Sequence, residues 1–213
     1  MSAPAVLLDR DGTLIHARHY PSRPRDLVLY DGIAAELAAL KRAGFKLVLV
    51  TNQGGLAYGY FTASDLTRMH EHLQTQLAAV GAEFDAIFHC PHHPRGRIPE
   101  LAIACDCRKP KPGMLLSAAK GLDLDLNRSW MVGDILDDVE AGNRAGCRTI
   151  LVDLGTEAPP RSPARTPLFV ARDSVHALRI IQFLETGGSP ADLTYIPTAW
   201  AGRFAPEGGV PCR

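Results

Sequence analysis

The 213-residue sequence lacks an excess of either charge: Lys plus Arg and Asp plus Glu each count 23, so the formal net charge is zero. That balance excludes the global basic field that draws proteins to nucleic acid or anionic membranes, and any phosphate binding has to be local. No apolar run approaches the roughly 20 residues needed to span a bilayer. Residues 1–8 are too short, and lack the basic start, for a secretory leader, so a cytoplasmic location is the expectation. There is no internal repeat, no low-complexity tract and no evident aromatic track on which nucleobases would stack. Cysteine is sparse and odd in number, at five, yet Cys90, Cys105 and Cys107 fall within eighteen residues beside histidines. Without a secretory signal, that clustering favours a metal site over a disulfide framework, and leaves Cys147 and Cys212 as free thiols.

What is present is enough apolar material, 46% of the chain, for one ordinary core. Short β-rich apolar runs at 5–8, 46–50, 86–89, 130–132, 149–152 and 168–170 read as buried parallel strands. Helical periodicity covers 33–43, 63–79, 114–120, 139–145 and 175–184, with Gly44 and Gly146 where helix-ending glycines belong. Strand alternating with helix predicts an α/β fold with a doubly wound, mainly parallel sheet, which binds ligands beyond the carboxyl ends of its strands. The expected organisation is one domain over 1–186, with a loop at about 90–107 inserted, and a tail over 187–213. The tail carries Tyr195, Trp200 and Phe204 among glycines and prolines, and is expected to be loose or wrapped over the surface. No large cap insertion follows the first strand, so small loops must close the pocket, and a monomer is expected.

The first strand runs directly into Leu8-Asp9-Arg10-Asp11-Gly12-Thr13. Two carboxylates two residues apart at the end of a buried strand repel each other and lose hydration unless a cation joins them. Mg²⁺ suits the position, because it takes hard oxygen ligands from one or two carboxylates and leaves room for a phosphate. Gly12 lets the chain turn sharply there. The second strand ends in Thr51-Asn52-Gln53-Gly54-Gly55, a hydroxyl, amides and exposed backbone N–H groups that make a neutral nest for an anion at the same sheet edge. A third string, Gly133-Asp134-Ile135-Leu136-Asp137-Asp138, follows the strand at 130–132. Asp134 is assigned to metal, Asp137 to helix capping, and Asp138 to pairing with a basic residue.

The stretch 91–112 has too little apolar periodicity to hold itself by packing. It is bracketed by Cys90-Pro-His92-His93 and Cys105-Asp-Cys107, with twelve residues between His92 and Cys105. Four nitrogen and sulfur ligands without a carboxylate describe a closed, structural Zn²⁺ site. His92 and His93 both compete for the fourth position; spacing like that of the Cys-x-Cys pair points to His92. Arg108-Lys109-Pro110 follows the last ligand at once, so a metal-clamped loop would project Arg108 and Lys109 toward the phosphate pocket.

Together these strings resemble the haloacid dehalogenase superfamily of phosphatases, over roughly residues 5 to 185. The resemblance implies that Asp9 is the nucleophile that becomes an aspartyl phosphate and that Asp11 is the general acid and base. It also implies that Thr51 and Lys109 stabilise the phosphoryl group, and that Asp9, Asp11 and Asp134 hold Mg²⁺. With Cys90, His92, Cys105 and Cys107 as Zn²⁺ ligands and the Cys-Arg-Lys-Pro string, the sequence looks more narrowly like the D-glycero-D-manno-heptose 1,7-bisphosphate 7-phosphatase family. Members trim a sugar bisphosphate on the route to nucleotide-activated heptose for bacterial surface glycans. Substrate contacts in that family map to Ala17, Arg18, His19, Tyr20, Thr51, Asn52, Gln53, Gly54, Arg108 and Lys109. The chain departs from the pattern at 17–19, where an acidic residue and glycine are frequent, and at Ile135, where lysine is frequent.

Three other readings share parts of this pattern. Histidinol-phosphate phosphatases carry the same motifs and zinc loop. DNA 3′-phosphatases share the Asp-x-Asp-Gly-Thr and Thr-Asn-Gln strings, but the chain has no basic face to meet DNA. A catalytically dead, zinc-stabilised binding protein is opposed by the intact Asp9, Asp11, Lys109 and Asp134.

Overall fold

The computed structural model describes residues 2–189. Tyr195, Trp200, Phe204 and Cys212 lie outside the described residues, and with them most of the tail.

The strands are β1 (Ala5–Leu8), β2 (Lys46–Asn52), β3 (Ala86–Cys90), β4 (Trp130–Gly133), β5 (Arg148–Val152) and β6 (Phe169–Ala171). They form one parallel sheet in the order β3-β2-β1-β4-β5-β6. The helices are α1 (Ile33–Arg42), α2 (Gly55–Tyr58), α3 (Ala63–Ala78), α4 (Gly113–Leu122), α5 (Leu136–Ala145) and α6 (Ser174–Glu185). None is long and apolar enough to cross a membrane.

Strand β1 shows why the sheet is buried on both sides. Its four residues are fully buried, with Val6 and Leu8 in one apolar cluster and Ala5 and Leu7 in another. The first cluster takes Ile33 and Leu37 of α1, Met69 and Leu73 of α3, and Leu178 and Ile181 of α6. The second takes Met114, Leu115 and Ala118 of α4 and Ala141 of α5. Each buried leucine stabilises the fold by about 1.5–3 kcal/mol, and alternate residues of a strand serve opposite layers.

Because β1 pairs with β2 on one side and β4 on the other, the strand order reverses there. A crevice opens at the carboxyl ends of strands around such a reversal. The polar strings that follow β1, β2 and β4 all lie there.

Helix α5 is tied close to β4. A Cβ placed on Gly133 would stand 2.2 Å from Asp138 Oδ2 and 2.2 Å from its Cβ, so glycine is what lets the first turn of α5 sit against the strand. Gly133→Ala is expected to displace Asp138 and to destabilise the protein by about 1–3 kcal/mol, the usual range for overpacking. Urea denaturation beside a phosphate-release assay tests this; unchanged midpoint and activity would refute the close packing.

Candidate active site

Asp9 follows β1 directly, its N–H donating to the Val132 carbonyl at 3.0 Å, so its carboxylate emerges between β1 and β4. At Gly12 the chain turns with φ of 90°, and a Cβ there would lie 2.4 Å from Asp134 Oδ2. Only glycine tolerates both that backbone and that approach. The Thr13 hydroxyl then donates to Asp134 Oδ1 at 3.2 Å.

Carboxylate oxygens of Asp9, Asp134 and Asp138 lie within 4.8 Å of one another, all on buried residues. Burial, and then the neighbouring Asp9 and Asp138, push the Asp134 carboxyl up to about 8. Asp138 is also pushed up, by burial foremost. Acid groups held this way gain most from a cation.

Lys109 supplies one positive charge. Its ammonium, 2% exposed as a residue, donates to Asp9 Oδ1 at 2.6 Å and to the Val50 carbonyl at 2.7 Å, and sits 2.6 Å from Asp138 Oδ1. Burial disfavours that charge, but Asp138 and Asp9 outweigh it and hold the lysine above its ordinary pKa. The backbone of Lys109 is clamped by Asn52, whose Oδ1 accepts from Lys109 N at 3.0 Å and whose Nδ2 donates to Lys109 O at 3.1 Å. A side chain expected to face substrate thus also fixes the lysine.

Asp11 takes a different place from its neighbour in sequence. Its carboxylate accepts from Arg10 Nε and Nη2, both at 3.0 Å, and from Gln53 Nε2 at 3.1 Å. Its carboxylate stands outside the group formed by those of Asp9, Asp134 and Asp138. Burial raises the Asp11 carboxyl, against the pull of Arg10. The Thr51 hydroxyl, also buried, accepts from Gln53 Nε2 at 2.8 Å. Asp137 pairs with Arg165 at 3.0 Å.

Arg18, His19 and Tyr20 line a cavity of about 240 Å³ with Arg10, Asp11, Asn52 and Gln53. Ala17 is exposed and outside that lining. Arg108 reaches the same rim: its Nη1 donates to the His92 carbonyl at 3.2 Å and lies 3.5 Å from where a Gly54 Cβ would be. Sequence reasoning missed the aromatic group beside it. Tyr20, Tyr58 and Tyr60 pack with ring centroids 4.8 to 6.0 Å apart, and His93 lies 4.9 Å from Tyr58. Only the spacing of Tyr58 and Tyr60 after the glycines hinted at it.

The second donor group stands at the end of β3. Cys90, His92, Cys105 and Cys107 offer ligand atoms within 4.8 Å of one another. The Sγ separations are 3.2, 3.3 and 3.5 Å, and His92 Nδ1 is 3.3 Å from Cys107 Sγ. His93 is turned away, with Nδ1 3.1 Å from the Tyr58 hydroxyl. The loop also docks on α2, where Arg97 N and Ile98 N donate to the Ala57 carbonyl at 2.7 and 2.9 Å. Cys147 is a buried free thiol pushed up to about 12 by burial.

This sheet, with an aspartate at the end of its first strand, a lysine against it and acids after the adjacent strand β4, defines a phosphatase of the haloacid dehalogenase type. Residues 106–177 match the HAD-hydrolase-like family model. The D-glycero-beta-D-manno-heptose-1,7-bisphosphate 7-phosphatase of Escherichia coli K12 is 42% identical over 162 residues, 76% of this chain and 85% of that one. Its counterpart in Pasteurella multocida is 45% identical over 152 residues, 71% of this chain and 82% of that one. Among solved structures, the D,D-heptose 1,7-bisphosphate phosphatase of B. bronchiseptica, complexed with magnesium and phosphate, superposes with a TM-score of 0.72. It is 33% identical, over 86% of this chain and 99% of that one. The chain belongs to the heptose 1,7-bisphosphate 7-phosphatase family of the haloacid dehalogenase superfamily.

Proposed function

We propose that the protein hydrolyses the 7-phosphate of D-glycero-D-manno-heptose 1,7-bisphosphate through an aspartyl phosphate on Asp9. The observation that carries this reading is the buried contact of Lys109 with Asp9 at 2.6 Å, beside a cavity lined by Asp11. The Asp9 carboxylate attacks phosphorus while the bond from phosphorus to the sugar oxygen breaks, and Asp11 gives that oxygen a proton. Water then attacks the phosphorus with Asp11 as base, and the bond to Asp9 breaks to release phosphate. Thr51 and Lys109 stabilise charge on the transferring group. Arg18, His19, Tyr20, Asn52, Gln53 and Gly54 bind the sugar, and Arg108 takes its second phosphate.

The three buried acids fit a hard divalent cation, because burial and mutual repulsion push Asp134 up to about 8 without one. Asp9, Asp11 and Asp134 would hold Mg²⁺, which when bound neutralises charge on the transferring phosphoryl group. Cys90, His92, Cys105 and Cys107 fit a closed four-ligand Zn²⁺ site, in which the ion is structural.

The test is a panel of phosphate-release rates, run with and without added Mg²⁺. It contains both anomers of heptose 1,7-bisphosphate, histidinol phosphate and a 3′-phosphorylated oligonucleotide. One heptose bisphosphate is expected to give the highest kcat/KM, and only with Mg²⁺. A higher value for histidinol phosphate would replace the substrate, and full rates without Mg²⁺ would remove the metal.

A further inference from the structure

Arg10 is among the most buried side chains of the molecule, at 1% exposure, yet it carries a permanent charge. Among the described residues its one ion-pair partner is Asp11. Nε and Nη2 both donate to the Asp11 carboxylate at 3.0 Å, in the planar fork that matches a carboxylate. The remaining edge of the guanidinium is unsatisfied: Nη1 is buried with no hydrogen-bond partner among the described residues, and so is His70 Nε2. His70 on α3 and His89 on β3 have ring centroids 5.9 Å apart. After burial, the charge of Arg10 is the next cause that lowers both imidazoles, His70 to about 3.

Stability does not explain such a residue. A buried guanidinium with an unsatisfied edge is costly, and well-packed apolar groups of similar volume are often as good or better. What the charge does achieve is local. The Asp11 side chain is 28% exposed toward the cavity, while its oxygens are held from the protein side by Arg10 and by Gln53 at 3.1 Å. Gln53 is itself tied to the Thr51 hydroxyl at 2.8 Å.

We infer that Arg10 is a positioning residue for acid–base catalysis, pinning the Asp11 carboxyl at the cavity wall and stabilising the carboxylate left after its proton passes to the leaving oxygen. This rests on the acid–base role given to Asp11 above. In that step the bond from phosphorus to the leaving oxygen breaks, its electron pair stays on oxygen, and the proton of Asp11 bonds to that pair. Arg10 remains protonated throughout and exchanges nothing.

The consequence is a dependence on leaving group. An alkyl phosphate needs the proton from Asp11, whereas p-nitrophenyl phosphate leaves as a stable phenolate and needs it little. The experiment compares kcat on p-nitrophenyl phosphate with kcat on the alkyl phosphate that the wild type hydrolyses fastest, so a wrong sugar does not cost the test. Arg10→Met is expected to lower the alkyl-to-aryl ratio by roughly ten- to a hundredfold, within the range that general acid catalysis supplies. Arg10→Lys should recover part of it, and Arg10→Met added to Asp11→Asn should lower the ratio no further. Thermal melting of each variant separates misfolding, which lowers both rates alike. Equal losses on both substrates in a folded Arg10→Met would overturn the inference while leaving the phosphatase reading intact. A wild type inert toward both substrates would overturn the two together.

Discussion

Replacing Asp9 with Asn is expected to lower phosphate release by on the order of 10³-fold or more, with the fold retained. The amide keeps the size of the side chain but removes the lone-pair charge that attacks phosphorus, so no acyl phosphate forms. Retention of the fold follows from the charge ledger of the site. Lys109 keeps the Asp138 carboxylate at 2.6 Å and the Val50 carbonyl at 2.7 Å, so its buried ammonium still has partners. Asp134 loses a repulsive neighbour, since Asp9 is, after burial, the largest cause of its raised pKa. The two effects oppose each other, and the melting temperature should move little. The measurement is single-turnover phosphate release together with intact-protein mass after an acid quench. The wild type should carry a transient phosphate adduct that the Asn variant lacks. Activity within tenfold of wild type in Asp9→Asn would remove Asp9 as nucleophile.

Much of this arrangement is legible in the sequence because parallel strands covered on both faces must be apolar throughout. The four residues of β1 show that pattern. It failed where polar residues occupy a strand. β2 continues to Asn52, since Thr51 and Asn52 pair with His89 and Cys90 of β3 although their side chains serve the site. It failed again at the start of α5, where the acids read as loop but begin the helix at Leu136, with Asp138 accepting from Ile135 N at 3.3 Å. The one-turn α2 was hidden by its glycines. For the site, carboxylates after strands announced the chemistry, but not which of them converge. Asp9 and Asp11 lie only two residues apart, yet the Asp11 carboxylate is held by Arg10 and Gln53 while that of Asp9 is held by Lys109. Asp138 joins Asp9 and Asp134 because Gly133 allows α5 to fold back. Arg10 gave no signal, since an arginine in a polar string reads as exposed.

The second large effect is expected from the loop, where Cys107→Ser should abolish both Zn²⁺ retention and most phosphatase activity. Apparent zinc binding in small structural sites amounts to about 10–16 kcal/mol, comparable with the whole stability of a typical domain, so losing a ligand frees a loop that has little core of its own. What connects the loop to the chemistry is a short run of backbone. Cys107 lies two residues before Lys109, and Cys90 lies at the end of β3 with its carbonyl accepting from Gln53 N at 2.7 Å. The donor group thus joins the segment bearing Arg108 and Lys109 to the strand beside Thr51 and Asn52. Asn52 alone would then have to hold the lysine backbone, through bonds of 3.0 and 3.1 Å. Metal analysis should find about one Zn²⁺ per wild-type chain and essentially none in the variant, in line with four ligands to one ion. Limited proteolysis should cut the variant within 91–106 while sparing the sheet. Loss of zinc with full activity would show that Asn52 suffices to place Lys109, and a zinc-free wild type that is fully active would remove the metal from the loop altogether.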